Sequence, residues 1–246
     1  MTRPRRRPLP LWAAIILNLA VGLTVVGLVQ AFVVKIGRIP SGSMEQTLQS
    51  QQWGGDRILV NRLAYVGGAA PRPGDIVAVV RPPGWPGALP PAANPLSALV
   101  RGFGDLTGLG PSNEDYIVKR VAAVGGQRIS CCDVQGRLLL DGKPIDEPYV
   151  YQDLPFGPGR LDCTTAPRSP RCFPETLVPA GQLVLLGDHR SNSEDSAAQC
   201  RYAGSTGSNP AGSGASATCV RTAAASAVVG QVIFRVWPLD RIGVPR

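Results

Sequence analysis

Hydrophobic positions divide the chain into one long apolar stretch and a series of short ones. Residues 8–34 carry no charge over 27 positions, more than the ~20 needed for a helix to cross a bilayer. Asn18, Thr24 and Gln30 interrupt the stretch but are neutral. After it the apolar runs are strand-length and bounded by Gly, Pro or Asp. Segments 56–61, 74–80, 116–124, 137–140, 182–186 and 228–236 read as strands. Residues 35–39 read as a connector. No second run is long enough to span a membrane. Short strands between Gly/Pro turns, with little helical period, predict a mainly β domain.

Two segments lack period. Residues 81–113 are rich in Pro, Gly and Leu and read as an inserted loop with one helical turn. This insert holds Trp85, Leu89, Leu96, Leu99, Val100, Phe103 and Leu106, against only Arg81, Arg101 and Asp105 as charges. Those apolar side chains either cover the sheet or dip into a lipid leaflet. Residues 203–227 are Gly/Ser/Ala-rich and read as a flexible loop.

Charge settles the direction of the long stretch. The chain has a formal net charge of +8, with Arg3, Arg5, Arg6 and Arg7 just before the apolar run and only Lys35 and Arg38 just after it. The asymmetry predicts a basic tail over 1–8 in the cytoplasm, a transmembrane anchor over 9–34, and an extracytoplasmic domain over 35–246. The protein is then a single-pass plasma-membrane protein, with the lipid bilayer as a partner. A cleaved leader is the competing reading, since Val29-Gln30-Ala31 offers small residues. The apolar core is longer than the ~7–15 residues usual for one. A nucleic-acid surface is not indicated, because no later basic run is interleaved with aromatics.

The cysteines fit an oxidising compartment. Cys163 and Cys172 flank a Pro/Arg-rich loop, Cys200 and Cys219 flank the Gly/Ser/Ala-rich one, and both pairs look like disulfide staples. Adjacent Cys131 and Cys132 have no assignment. A zinc site needs clustered Cys/His ligands, and His189 is the only histidine.

Lysine usage marks a candidate base. Only Lys35, Lys119 and Lys143 occur among 25 basic residues. Lys35 borders the apolar stretch, where snorkelling accounts for it. Lys143 follows an Asp-Gly turn. Lys119 sits inside an apolar strand, and a desolvated lysine can lose its proton and act as a base where arginine cannot. Ser41 and Ser43, in a Pro/Gly turn, are candidate nucleophiles needing such a base. His189 permits a Ser–His–Asp arrangement, but no Gly-x-Ser-x-Gly motif supports it.

These residues fall into a family pattern. Ile39-Pro40-Ser41-Gly42-Ser43-Met44 with Thr47-Leu48 resembles the nucleophile box of bacterial type I signal peptidases. Gly55-Asp56-Arg57-Ile58-Leu59-Val60-Asn61, Pro73-Gly74-Asp75-Ile76-Val77 and Tyr116-Ile117-Val118-Lys119-Arg120-Val121 are similar to the next boxes. Gly187-Asp188-His189-Arg190-Ser191-Asn192-Ser193-Glu194-Asp195-Ser196 and Arg235-Val236-Trp237-Pro238-Leu239-Asp240 resemble the last two, in family order. The resemblance implies a fold of coiled antiparallel sheets, no cofactor and no metal, with exported preproteins as substrates. It assigns Ser43 as nucleophile, Lys119 as general base and Ser41 as an oxyanion donor. Ser193 would orient the Lys119 amine, and Asp195 would support that turn. Ile39, Leu48, Ile117 and Val118 would line the substrate site. Departures are Gln46 for a usual Pro, His189 and Ser191 for Asn and Asp, and Ala197 for an Arg paired with the acidic residue, a pairing that Arg201 is placed to take over. Two rivals remain: a self-cleaving repressor-type Ser/Lys protease, which would carry a DNA-binding domain rather than an anchor, and an inactive membrane-tethered binding protein of the same fold.

Overall fold

The structure is a computed structural model that describes residues 10–50, 54–107, 112–113, 115–201 and 219–246. The basic tail 1–8 and residues 203–218 of the second insert lie outside the described residues.

Helix α1 spans Leu11–Phe32. At ~1.5 Å per residue it is about 33 Å long, enough for a bilayer core. It is apolar on all sides, and large side chains such as Leu11, Ile15, Leu19 and Phe32 are exposed along it. Near its C-terminal end Gln30 turns inward and accepts the Ile36 N–H at 3.4 Å.

The chain then enters the sheet directly. The strands are β1 (Val34–Arg38), β2 (Arg57–Asn61), β3 (Ile76–Val80), β4 (Tyr116–Val124), β5 (Arg128–Cys131), β6 (Leu138–Leu140), β7 (Lys143–Pro144), β8 (Phe173–Leu177), β9 (Gln182–Leu186), β10 (Ala223–Ala224) and β11 (Val228–Trp237). Among the described residues they form two antiparallel sheets, in the orders β1-β2-β11-β3-β4-β9-β10 and β7-β6-β5-β8. The mainly β expectation therefore holds. Register irregularities in β11, and between Val121 and Ala123 in β4, curve the large sheet, as bulges do.

Three differences from the sequence reading have physical causes. Residues 34–38 pair with β2 instead of connecting; Lys35, Gly37 and Arg38 hide an edge strand, where charges are tolerated. Strands β5 and β8 are short, and β8 contains Pro174 and Glu175, so neither shows alternation. The first insert is not simply a loop. It contains α2, Pro95–Thr107. Asn94 caps it: Asn94 Oδ1 accepts the Ser97 N–H at 2.8 Å, and Ser97 Oγ accepts the Asn94 N–H at 3.1 Å. Pro95 stands at the first helical position, where its missing N–H costs nothing. Gly102 and Gly104 weaken the helical signal in the sequence.

Among the described residues, three apolar clusters fill the domain. One, around Ala123, Ile129, Leu138, Val184 and Leu186, joins the two sheets. A second gathers Ile39, Met44, Leu48, Ile58 and Val60. A third holds Val77, Val79, Trp85, Val121 and Leu185. Strand β4 touches all three, so from Lys119 through Ala123 every one of its residues is buried. Trp85 of the first insert is core, 6% exposed, with the Arg221 guanidinium 4.9 Å from its ring centre.

Cys163–Cys172 and Cys200–Cys219 are disulfide-bonded as expected, and Cys131 pairs with Cys132. Replacing both Cys200 and Cys219 by Ala removes a crosslink across 19 residues. Loop entropy makes that worth about 3 kcal/mol. Thermal melting of the double variant should fall by several degrees; an unchanged midpoint would show that the staple does not stabilise the fold.

Candidate active site

The site begins with the chain immediately after β1. Buried Ile39 donates its N–H to the Asp56 carbonyl at 2.9 Å, which fixes where the next turn starts. Gly55 makes this possible: its φ of +94° suits glycine, and a Cβ there would strike the Ile39 carbonyl oxygen. Gly42–Met44 form a 3-10 turn. Buried Met44 and Leu48 anchor the turn from below, with the Leu48 N–H on the Met44 carbonyl at 2.7 Å. Ser43 is thereby held at 7% exposure, with Ser41 Oγ 3.3 Å from Ser43 Oγ.

Lys119 reaches this turn from the middle of β4. Its Nζ lies 2.5 Å from Ser43 Oγ, and the residue is 4% exposed. Desolvation is the main cause that pushes its pKa down to about 8; Asp195 opposes it, while Arg201 and Arg81 push further down. A neutral amine one hydrogen bond from a buried hydroxyl can accept that hydroxyl's proton.

The 187–195 segment closes the site from the other side. The His189 N–H donates to the Ser43 carbonyl at 3.1 Å. His189 Nδ1 lies 3.1 Å from the Gly42 carbonyl and Nε2 lies 3.0 Å from Gln152 Oε1. The imidazole therefore braces the backbone of the turn, and its contacts do not include the Ser43 hydroxyl. Gly187 has no space for a side chain: a Cβ would collide with Ser193 Oγ and the Ser43 carbonyl oxygen.

Asp195 is fully buried and accepts the Gly187 N–H at 3.1 Å and the Ala197 N–H at 3.0 Å. Arg201 grips both its oxygens, at 2.9 and 3.0 Å, and also donates to the Ser193 carbonyl. Arg201 thus makes the ion pair that Ala197 cannot. Ser193, expected to orient the Lys119 amine, forms no hydrogen bond with it; among the described residues its buried Oγ has no hydrogen-bond partner.

Of the residues expected to meet substrate, Ile39, Leu48 and Val118 pack in one cluster with Met44, whereas Ile117 lies in another with Val77 and Val79. Leu48 is 0% exposed, so it is core beneath the turn.

A buried network that the sequence reading passed over ties these pieces together. Arg120 grips Asp188 through two bonds, at 2.9 and 2.7 Å, and donates to the Gly74 carbonyl at 2.9 Å. Thr47 Oγ1 donates to the same carboxylate at 2.6 Å. Tyr149 covers the Arg120 guanidinium at 3.7 Å. The chain just after the Ser43 turn, β4 and the 187–195 segment thus share one buried carboxylate. The available signal was Arg120 itself, a second charge beside Lys119 in an otherwise apolar strand.

Residues 12–237 match the model of the family described as "Signal peptidase, peptidase S26". A protein of Mycobacterium tuberculosis (strain ATCC 25618 / H37Rv) named "Signal peptidase I" is 33% identical over 254 residues, covering 99% of this chain and 78% of the relative. "Probable signal peptidase I" of Mycobacterium leprae (strain TN) is 34% identical over 255 residues, covering 99% and 81%. A solved structure of a signal peptidase I from Enterococcus faecalis V583 aligns with 66% of this chain and 96% of that chain, at 17% identity and a TM-score of 0.32. With a family model matched over residues 12–237, and relatives at 33–34% identity over 99% of this chain, the chain belongs to the signal peptidase family, peptidase S26.

Proposed function

We propose that this chain is a membrane-anchored serine endopeptidase that removes N-terminal signal peptides from exported preproteins, with Ser43 as nucleophile and Lys119 as general base. The observation that carries the assignment is the buried amine 2.5 Å from the hydroxyl.

The chemistry follows from that pair. Neutral Lys119 takes the Ser43 proton as Oγ attacks the scissile carbonyl carbon. The oxyanion is met by the Ser43 backbone N–H and the Ser41 hydroxyl. Collapse breaks the peptide C–N bond, and the departing amine of the mature protein takes the proton from Lys119. A water then gives a proton to Lys119 and attacks the ester, and Ser43 regains its hydrogen. The cluster of Ile39, Met44, Leu48 and Val118 lies close-packed beside the turn. A substrate side chain entering there must be small, in keeping with cleavage after small residues.

Helix α1 is the anchor. The four arginines before it hold the N-terminus in the cytoplasm and put the Ser43 turn on the outer side, close to the membrane face where a cleavage site emerges. The test is to incubate the detergent-solubilised full chain with a model preprotein and sequence the N-terminus of the product. Release of a mature N-terminus after small residues is expected; an intact preprotein would overturn the reading.

Ser43→Ala and Lys119→Arg should each lower kcat/KM by more than about 10⁴-fold while the protein stays folded. Arginine cannot serve as a base at working pH. His189→Ala, which loses only a brace of the turn, should keep activity within an order of magnitude. Substantial turnover by Lys119→Arg would refute the dyad.

Activity should rise as pH climbs through about 8, where Lys119 becomes neutral, and level off above it. Stability has a matching signature. From pH 8 to 10.5 this lysine is neutral when folded and protonated when unfolded, so its contribution to stability improves as pH rises through that window. Lys119→Met should therefore melt higher than the parent at pH 7, with the gap narrowing above pH 8. A gap that does not change with pH would contradict burial of a neutral amine.

A further inference from the structure

Helix α2 is amphipathic in the wrong sense for a helix facing water. Leu96, Leu99, Val100 and Phe103 recur at i, i+3, i+4 and i+7 and form one stripe. That stripe points outward: Leu96 is 69% exposed, Leu99 71% and Val100 47%. The polar side is engaged by the rest of the insert. Arg101 donates to the Pro90 carbonyl at 2.9 Å. Asp105 accepts the Asn113 backbone N–H at 3.1 Å, its side-chain amide at 3.0 Å, and the Ser112 hydroxyl. A loop helix whose charges are engaged by its own insert and whose leucines face outward leaves apolar area that water does not favour.

Position identifies what covers that face. Helix α2 packs against α1, and Asp105 lies within electrostatic range of Lys35 in β1, which follows α1. Around the same exit, Leu63, Val66 and Val80 line a groove of about 510 Å³ with Ala31 and Phe32 of α1, rimmed by Arg62 and Tyr116. Apolar side chains at the exit of a bilayer-length helix, bordered by Arg, Lys and Tyr, have the composition of a membrane–water interface.

We propose that α2 is an interfacial helix: it lies along the outer surface of the bilayer beside α1, with Leu96, Leu99 and Val100 in the acyl-chain boundary. Its partner is lipid, and the proposal rests on the reading of α1 as the membrane anchor. With α1 it gives the catalytic domain a second point of attachment, which fixes the tilt of the domain and the height of the Ser43 turn above the membrane.

The experiment uses the full chain reconstituted in phosphatidylcholine/phosphatidylglycerol vesicles containing a carbene-generating photolabel dissolved in the acyl chains, followed by peptide mapping. The label should enter both the α1 peptide and the 95–107 peptide. The triple variant Leu96→Ser, Leu99→Ser, Val100→Ser should lose the second and keep the first, with an unchanged melting temperature in detergent. Label in α1 alone overturns the interfacial helix and leaves the anchor standing, as it would if a second copy of the chain covered the stripe. Label in neither overturns both readings. Unchanged labelling of 95–107 in the triple variant also overturns the proposal, because the stripe would then not be what holds α2 in lipid.

Discussion

The site depends on keeping one amine dry. Lys119 can serve as a base only if its charged form is disfavoured, and the structure achieves this by burial rather than by surrounding it with positive charge. The neighbouring charges largely oppose one another: Asp195 raises the lysine pKa while its own partner Arg201 lowers it. Desolvation is left as the dominant influence. Such burial suits a strand inside the large sheet, as β4 is, between β3 and β9 and in contact with all three apolar clusters. An edge strand would leave such a lysine wet and protonated.

A dry base is useful only if the hydroxyl is delivered to it. That task falls to a second buried device, the Asp188 carboxylate shared by Thr47 and Arg120. A buried ion pair of this kind adds little net stability over an apolar core but is costly to break. Its value here is geometric, since it locks the Ser43 turn to the strand that carries Lys119. The departures from the family pattern fit the same logic. Ala197 removes one cation, and Arg201 supplies another from one helical turn further on. His189 keeps a backbone bond to the serine turn through its own N–H.

The end of the domain beside α1 follows a different rule. At the base of α1, Phe32, Leu63, Val66 and the α2 stripe together display apolar surface. Outward apolar surface concentrated at the end of a bilayer-length helix is consistent with a domain that works against a lipid face.

The sequence by itself determined the elements and residues whose signal is local. The anchor-length helix is an uninterrupted apolar run. Strands β2, β3, β4, β9 and β11 each carry their own apolar pattern between turn residues. Ser43 and Lys119 stood out by chemistry and by their place in ordered boxes; Asp195 came from its box alone, and Arg201, outside the boxes, was only a candidate partner for it. Strand β1 and strand β8 were not legible, because edge positions and short pairings tolerate Lys, Gly, Pro and Glu. Helix α2 was obscured because its caps are clear but its glycines dilute the period. Only the tertiary structure decided that Trp85 is core while Leu99 is exposed, two residues alike in hydrophobicity within one insert. It alone showed that Ser193 makes no bond to the lysine and that Asp188 joins Thr47 to Arg120. Burial and hydrogen bonding between positions as distant as Thr47 and Asp188 are properties of how the strands pack, and no local pattern in the chain encodes them.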